Sequence, residues 1–190
     1  LFAKICKKNN ILIAFDEMQA GFSRTGKNFG FEHYNIKPDI VCCGKGMGGG
    51  IAVSGVIGKK KIMDLPDVGN MSSTNSANPI ACSAGLAVIE EIQKKKLTLK
   101  SKRLGVLLHK GLNNIKKKFP NLFDVYGKGL IASMVFDKRV PNINYKLKLI
   151  VEDAMKNGLL LCYTGRESIK IGPPLTITRE ALKEGLKIIE

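Results

Sequence analysis

The chain has no tryptophan, four tyrosines and eight phenylalanines among its 190 residues. Those rings do not interleave with the basic clusters, so the stacking platform of a single-strand nucleic-acid binder is missing. Histidine is scarce as well. His33 and His109 stand alone, without a partner at ligand spacing, which argues against zinc. The five cysteines, Cys6, Cys42, Cys43, Cys82 and Cys162, are odd in number and contain no CxxC spacing. Cys42 and Cys43 lie side by side in an apolar run and read as small core residues in a reducing, cytoplasmic compartment. No apolar run approaches the ~20 residues of a membrane span, and no secretory signal pattern is present. The chain opens "LFAKICKKNN", without Met, and Leu1, Phe2 and Ile5 share a helical face. A fragment lacking an N-terminal part is therefore expected.

Acid is also in short supply: 16 acidic side chains face 31 basic ones, a formal charge of +15. Such a surplus suits nucleic acid or acidic lipid. Here the lysines spread over several helices, and the clusters Lys59–Lys61, Lys94–Lys96 and Lys116–Lys118 fall at element ends. Lysine near a helix C-terminus complements the helix dipole, so neither nucleic acid nor membrane is expected as a partner. Hydrophobic content of 44% and charged content of 25% are those of a globular protein with a core.

Three short apolar runs stand out: "ILIAF" (11–15), "DIVCC" (39–43) and "IAVSGVIG" (51–58). Continuous runs of this kind predict strands buried on both faces of a mostly parallel sheet covered by helices. Asn78-Pro79 opens a helix, with Asn as N-cap and Pro at the first helical position. Ile80, Ala84, Val88 and Ile92 follow at four-residue spacing. A second helix carries Leu104, Leu108, Leu112, Ile115 and Phe119 on one stripe. After Pro120 the texture changes. "LFDVYGKGLIASMVF" reads as two strands, a helix over about 144–157 ends at Gly158, "GLLLCY" and "SIKIG" are short strands, and Thr178 caps a last helix. The reading is an α/β region over 1–96, followed by a smaller α+β domain over 97–190.

Three stretches carry chemistry. Asp16 follows the first apolar run, with Gln19 three residues on; Asp at such a place also commonly caps a turn. Lys45 sits in "GKGMGGG" (44–50), which fits neither a Walker loop nor a clear dinucleotide fingerprint. Its glycines suggest a backbone passing close to a bulky ligand, and a partly desolvated lysine there is a nucleophile. Both residues follow strand ends, where open α/β sheets place their chemistry. "SSTNSANP" (72–79) is a hydroxyl-rich loop leading to a helix N-terminus, a phosphate site in the making. Plain capping explains Asn78 but not Ser72, Ser73, Thr74 and Ser76 together.

One ligand accounts for all three: pyridoxal 5′-phosphate. Lys45 would bind its aldehyde, Asp16 would keep its ring nitrogen protonated, Gln19 would donate to its ring hydroxyl, and Thr74 would hold its phosphate. An ion pair at ~4 Å and an effective dielectric near 20 is worth ~4 kcal/mol, or about three pKa units.

Residues 11–50, with strand, D-E-x-Q-x-G-F-x-R-T-G, F-x-x-x-x-x-x-P-D and x-K-G-x-x-G-G in order, resemble the class III pyridoxal-phosphate aminotransferases of fold type I. "SSTNSANPIACSAGLAVIE" resembles that family's S-T-x-x-x-N-P-x-A-x-A-x-x-A segment. "VYGKGLIASMVF" and "IGPPLTIT" resemble its C-terminal domain. The resemblance implies Lys45 as the Schiff-base lysine, with Asp16, Gln19, Ser73 and Thr74 binding cofactor. It implies a homodimer in which Thr74 completes the neighbouring subunit's site. It also implies that the family's N-terminal half, with a Gly/Ser-rich phosphate loop and a ring-stacking aromatic, is absent here. Many members carry arginine before the "PPL" segment for a substrate carboxylate. Lys170 matches that position and Arg166 lies nearby; both read equally well as solvated surface charges. Arg24 of the R-T-G element reads as structural.

The activity implied is transfer of an amino group from an amino acid or other primary amine to a 2-oxo acid. An aminomutase of the glutamate-1-semialdehyde type would carry the same motifs. A non-catalytic basic binding module is the remote alternative.

Overall fold

The computed structural model describes residues 1–190. The chain forms two compact units: Leu1–Ser23 with Lys27–Thr98, and Arg24–Gly26 with Leu99–Glu190. No helix is long and apolar enough to cross a membrane.

The first unit contains helix α1 (Phe2–Lys8), strands β1 (Ala14–Asp16), β2 (Ile40–Cys43) and β3 (Gly55–Gly58), and helices α2 (Lys60–Met63) and α3 (Pro79–Lys94). β1 and β2 run parallel, with Asp16 opposite Cys42. β2 and β3 run antiparallel, with Cys43 opposite Gly55. β1 is shorter than its apolar run because Asp39 claims the backbone before it. The Ile13 N–H donates to Asp39 Oδ2 at 2.9 Å, and Ile13 O accepts from Asp39 N at 2.8 Å. Asp39 also pairs with Lys59 at 2.6 Å. That hydrogen bond, then the one from Ile13, holds its carboxyl below the usual carboxylate range.

β3 departs from the parallel, doubly buried strand that its sequence predicts. The connection between Cys43 and Gly55 holds no α-helix, and a parallel return needs a crossover. β3 therefore turns back antiparallel at the edge of this three-stranded sheet, and Val56 and Ile57 are exposed. The predicted face of α1 is exposed too: Leu1, Phe2 and Ile5 face outward and Cys6 is the buried residue. Along α3, Ile80 is exposed, while Gly85 is buried and Ala81, Ala84 and Val88 are half-buried. The cap is as the sequence predicts, with Asn78 Oδ1 accepting from Ile80 N at 3.0 Å and Ala81 N at 3.3 Å. Lys94 and Lys116–Lys118 do end their helices. Lys59–Lys61 instead begin α2, the end where the dipole disfavours cations; ion pairs from Lys59 to Asp39 and Lys60 to Asp64 offset this.

The second unit contains most of helix α4 (Leu97–Lys118), strands β4 (Phe123–Lys128) and β5 (Ile131–Phe136), helix α5 (Ile143–Lys156), strands β6 (Cys162–Tyr163) and β7 (Ser168–Ile171), and helix α6 (Arg179–Ile189). Its sheet has the order β4-β5-β7-β6, antiparallel throughout. Alternation puts Ala132, Met134 and Phe136 of β5 inward, with Ile169 and Ile171 of β7. Leu108, Leu112 and Ile115 of α4, Leu147 of α5 and Leu182 of α6 complete this core. α5 ends at Asn157, and Gly158 follows in the left-handed region with φ +86°. Thr178 Oγ1 caps α6 by accepting from Ala181 N at 3.1 Å.

Arg24 belongs to this second unit by its bonds. Its Nη1 donates to Leu130 O at 3.2 Å and to Pro173 O. Its own carbonyl accepts from Leu130 N and Ser101 Oγ, each at 2.9 Å. Burial lowers the guanidinium pKa from its ordinary value. Arg24 thus ties the β4–β5 turn and the segment after β7 to one point.

Leu112 is fully buried, so Leu112→Ala is expected to lower stability by about 2–5 kcal/mol in denaturant unfolding. At Gly105 an added Cβ would lie 2.4 Å from Gly129 Cα. Because that neighbour is backbone, Gly105→Ala is expected to cost at least ~2 kcal/mol in the same measurement.

Candidate active site

The parallel pairing of β1 and β2 sets the site. Asp16 is the last residue of β1, and its register partner Cys42 is three residues before Lys45. Asp16 and Lys45 therefore leave the same end of two adjacent strands. Asp16 is exposed, and its Oδ1 accepts from Met18 N at 3.0 Å. No lysine or arginine pairs with it.

Lys45 starts a 3-10 turn over Lys45–Gly48 with φ +47°, a left-handed conformation that non-glycine residues seldom adopt. Met47 N donates to Gly44 O at 3.1 Å and closes the turn. α3 supports it from below. A Cβ added at Gly85 would meet Met47 O at 3.6 Å, and one at Gly49 would lie 2.8 Å from Val88 Cγ2. Lys45 itself is exposed, so the protein atoms here do not desolvate it as its sequence setting predicts.

The glycines around Lys45 have protein reasons, with one exception. A Cβ at Gly44 would lie 2.5 Å from Met18 Sδ, and one at Gly48 would lie 2.7 Å from Val53 Cγ1. Gly49 and Gly50 have φ +59° and +118°. Gly50 has open space around it but a left-handed φ; Gly46 alone combines room for a Cβ, with Phe22 Cβ nearest at 3.9 Å, and an ordinary φ. The expectation that the whole run clears room for a ligand narrows to that residue.

A cavity of about 880 Å³ is lined by Lys45, Met47, Ser54, Ser73, Asn75 and Ser76 among others. Its size suits a cofactor plus a substrate. Asp16, Gln19 and Thr74 do not line it; all three are exposed. Three of the four hydroxyls of the 72–76 loop are engaged locally. Ser72 Oγ donates to Gly69 O at 2.8 Å, and Ser73 Oγ and Ser76 Oγ share a hydrogen bond at 3.0 Å. Asn78 already occupies the first N–H groups of α3. Thr74 is the hydroxyl of this loop left without a protein partner.

Lys170 and Arg166 lie in the second unit. Lys170 is in β7, half-buried, opposite Ser133 of β5 and Cys162 of β6. Arg166 is exposed in the β6–β7 turn. A separate cavity of about 340 Å³ in that unit is lined by Leu108, Leu159–Cys162, Lys170, Pro173 and Leu182 among others, and is mostly apolar.

Sequence reasoning passed over Glu17. Its side chain is 1% exposed, and it accepts from Gly30 N and Phe31 N, each at 2.8 Å. Its backbone N–H donates to Cys42 O and its carbonyl accepts from Gly21 N, each at 2.9 Å. The readable signal was strand alternation, which puts Phe15 and Glu17 on one face and Asp16 on the other. The Cys43 thiol lies close enough to feel the Glu17 charge. Burial first, then Glu17 and Cys42, push its pKa up, so it stays protonated.

The residues present fit pyridoxal phosphate. A carboxylate without a cation suits a protonated ring nitrogen, a lysine beside an open backbone position suits covalent attachment, and Thr74 offers an unengaged hydroxyl. Gly46→Ala is expected to leave the thermal midpoint of the cofactor-free protein within ~2 °C while weakening cofactor binding at least ~10-fold by fluorescence titration. Gly44→Ala, by contrast, is expected to lower that midpoint by several degrees.

Comparison with known proteins agrees with this geometry. The family described as aminotransferase class-III matches residues 2–190. A leucine/methionine racemase of Thermococcus litoralis is 40% identical over 98% of this chain and 43% of its own length. An acetylornithine aminotransferase of Synechocystis is 38% identical over 98% of this chain and 43% of its own length. The crystal structure of acetylornithine aminotransferase from Elizabethkingia anophelis superposes with a TM-score of 0.89 at 34% identity, covering 98% of this chain and 46% of that one. The chain thus spans less than half the length of the curated relatives it matches. It has their α/β fold, and it belongs to the class III aminotransferase family, whose members depend on pyridoxal phosphate.

Proposed function

We propose that this chain supplies the C-terminal part of a pyridoxal-phosphate aminotransferase that moves an amino group from an amino acid or other primary amine to a 2-oxo acid. The observation that carries this reading is the β1–β2 register, which brings an unpaired Asp16 and the strained Lys45 to one end of adjacent parallel strands. Residues 1–96 are the later portion of the large cofactor-binding domain, and their three strands join a larger, mostly parallel sheet in the whole protein. Residues 97–190 are the small C-terminal domain.

When bound, the cofactor supplies an aldehyde for covalent attachment and a ring that stores an electron pair. Lys45 Nζ would hold the cofactor covalently and, when free, would serve as the base for the proton on the substrate carbon that bears the amine. Asp16 holds a proton on the ring nitrogen. Gln19 donates to the ring hydroxyl. Ser73 and Thr74 serve the phosphate, with Thr74 reaching the partner subunit's site in a homodimer. Lys170, helped by Arg166, meets the substrate carboxylate with a point charge, where arginine would offer a fork. The free thiols suit the cytoplasm.

One observation favours a second reading. A relative at 40% identity is named a racemase, and racemisation needs the same lysine, carboxylate and cofactor. An aminomutase of the glutamate-1-semialdehyde type shares them as well. Release of a free oxo acid separates transamination from both.

With the holoenzyme, amino donors screened against pyruvate and 2-oxoglutarate are expected to give stoichiometric oxo acid. Inversion of a single amino acid without oxo acid would overturn the transaminase reading in favour of the racemase. Lys45→Ala is expected to abolish the cofactor's visible band and to lower turnover by at least ~10³-fold. Asp16→Asn is expected to keep cofactor bound while kcat falls ~10²-fold or more. Parental activity in Asp16→Asn would remove the carboxylate from the mechanism.

A further inference from the structure

We propose that Glu17 is a positioning residue for Asp16, clamping the end of β1 so that the neighbouring carboxylate is held at a fixed depth and angle. The inference rests on Asp16 serving the ring nitrogen, as proposed above.

A ring contact before Asp16 and two hydrogen bonds after it converge on one segment. Before it, the Phe15 ring packs edge-on against the Phe31 ring, with centroids 5.8 Å apart. After it, both oxygens of Glu17 take the N–H groups of Gly30 and Phe31 at 2.8 Å. Phe15 and Glu17 share a face of β1, and Asp16 points to the other. The residue between them is thus gripped from behind at both neighbours, while its own carboxylate stays outward. Phe31 is itself fixed by stacking on Phe29, with centroids 5.6 Å apart. At Gly30 an added Cβ would meet Ala20 Cβ at 2.9 Å and both Glu17 oxygens at 3.2 Å, so the segment closes tightly over the carboxylate.

A role in stability alone does not explain the choice of residue. Glu17 is a carboxylate without a cation partner, 1% exposed, whose acceptor sites are taken by two backbone donors. A carboxyl group held this way is expensive to bury, and its rigidity is what a site within tenths of an ångström requires. The titratable groups around it are Asp16, Cys42, the Cys43 thiol, which stays protonated, and Glu32, which accepts from Phe29 N.

The test uses the cofactor-loaded protein and two readouts: steady-state kinetics and the pH midpoint of the cofactor's visible absorbance. Glu17→Gln keeps the shape but turns one acceptor into a donor facing an N–H. It is expected to lower kcat about 10-fold, with KM for the amino donor within about 2-fold, because only transition-state stabilisation is lost. It is also expected to move the absorbance midpoint in the same direction as Asp16→Asn, by a smaller amount. Phe31→Leu, which keeps the backbone donor, is expected to move it the same way and less. Leu112→Ala serves as the comparison: it destabilises the protein but leaves the midpoint in place. The proposal fails if Asp16→Asn moves the midpoint while Glu17→Gln leaves both midpoint and kcat at parental values. If Asp16→Asn moves nothing, the role given to Asp16 fails first and this inference falls with it.

Discussion

The parallel pairing of two short strands is the constraint on which the site depends. Fixing Asp16 opposite Cys42 fixes, two residues past the strand end, the place where Lys45 leaves β2. A slip of one residue would turn Asp16 inward and Glu17 outward. Three features resist that slip. Asp39 holds both strands at their entry through Ile13. Glu17 N–H continues the ladder to Cys42 O. The Glu17 carboxylate is engaged on Gly30 and Phe31. Acid side chains at both ends of one strand thus hold its register, and an acid between them is left for chemistry.

The turn that presents Lys45 shows how small residues serve position. α3 packs beneath the turn, where even a Cβ at Gly85 would meet Met47 O only at an ordinary 3.6 Å. At Gly49 the missing side chain does matter, because an added Cβ would lie 2.8 Å from Val88 Cγ2. The left-handed φ at Lys45 costs of order 1 kcal/mol or more and persists because this support over-determines it.

Much of this was legible from the residues alone. Asn78-Pro79 and Thr178 announce helix starts through local chemistry, and the structure shows both caps. The two strands around Gly127 and Gly129 were readable because alternation and turn glycines act over a few residues. The motif order was enough to indicate the family. Less legible were features that depend on distant partners. Whether "IAVSGVIG" lies parallel or antiparallel is decided by its connection and its neighbours, not by its own composition. The hydroxyls of Ser72, Ser73 and Ser76 pointed to phosphate, yet they bond within their own loop. The acid in Pro38-Asp39 looked like part of a pattern, but it is the peg of a strand junction. Glu17 was hidden behind the more conspicuous acid before it.

The three residues Arg24–Gly26 leave the first unit, join the second, and hand the chain back at Lys27. A single scission near Thr98 would therefore not yield two self-sufficient halves. The later half would lack the guanidinium that gathers Leu130 and Pro173. The earlier half would carry a short stretch with nowhere to dock. Gene-splitting, circular permutation and domain exchange with relatives would all have to respect this interleaving, and Arg24–Gly26, translated early, must wait for Leu99–Glu190 before it can dock.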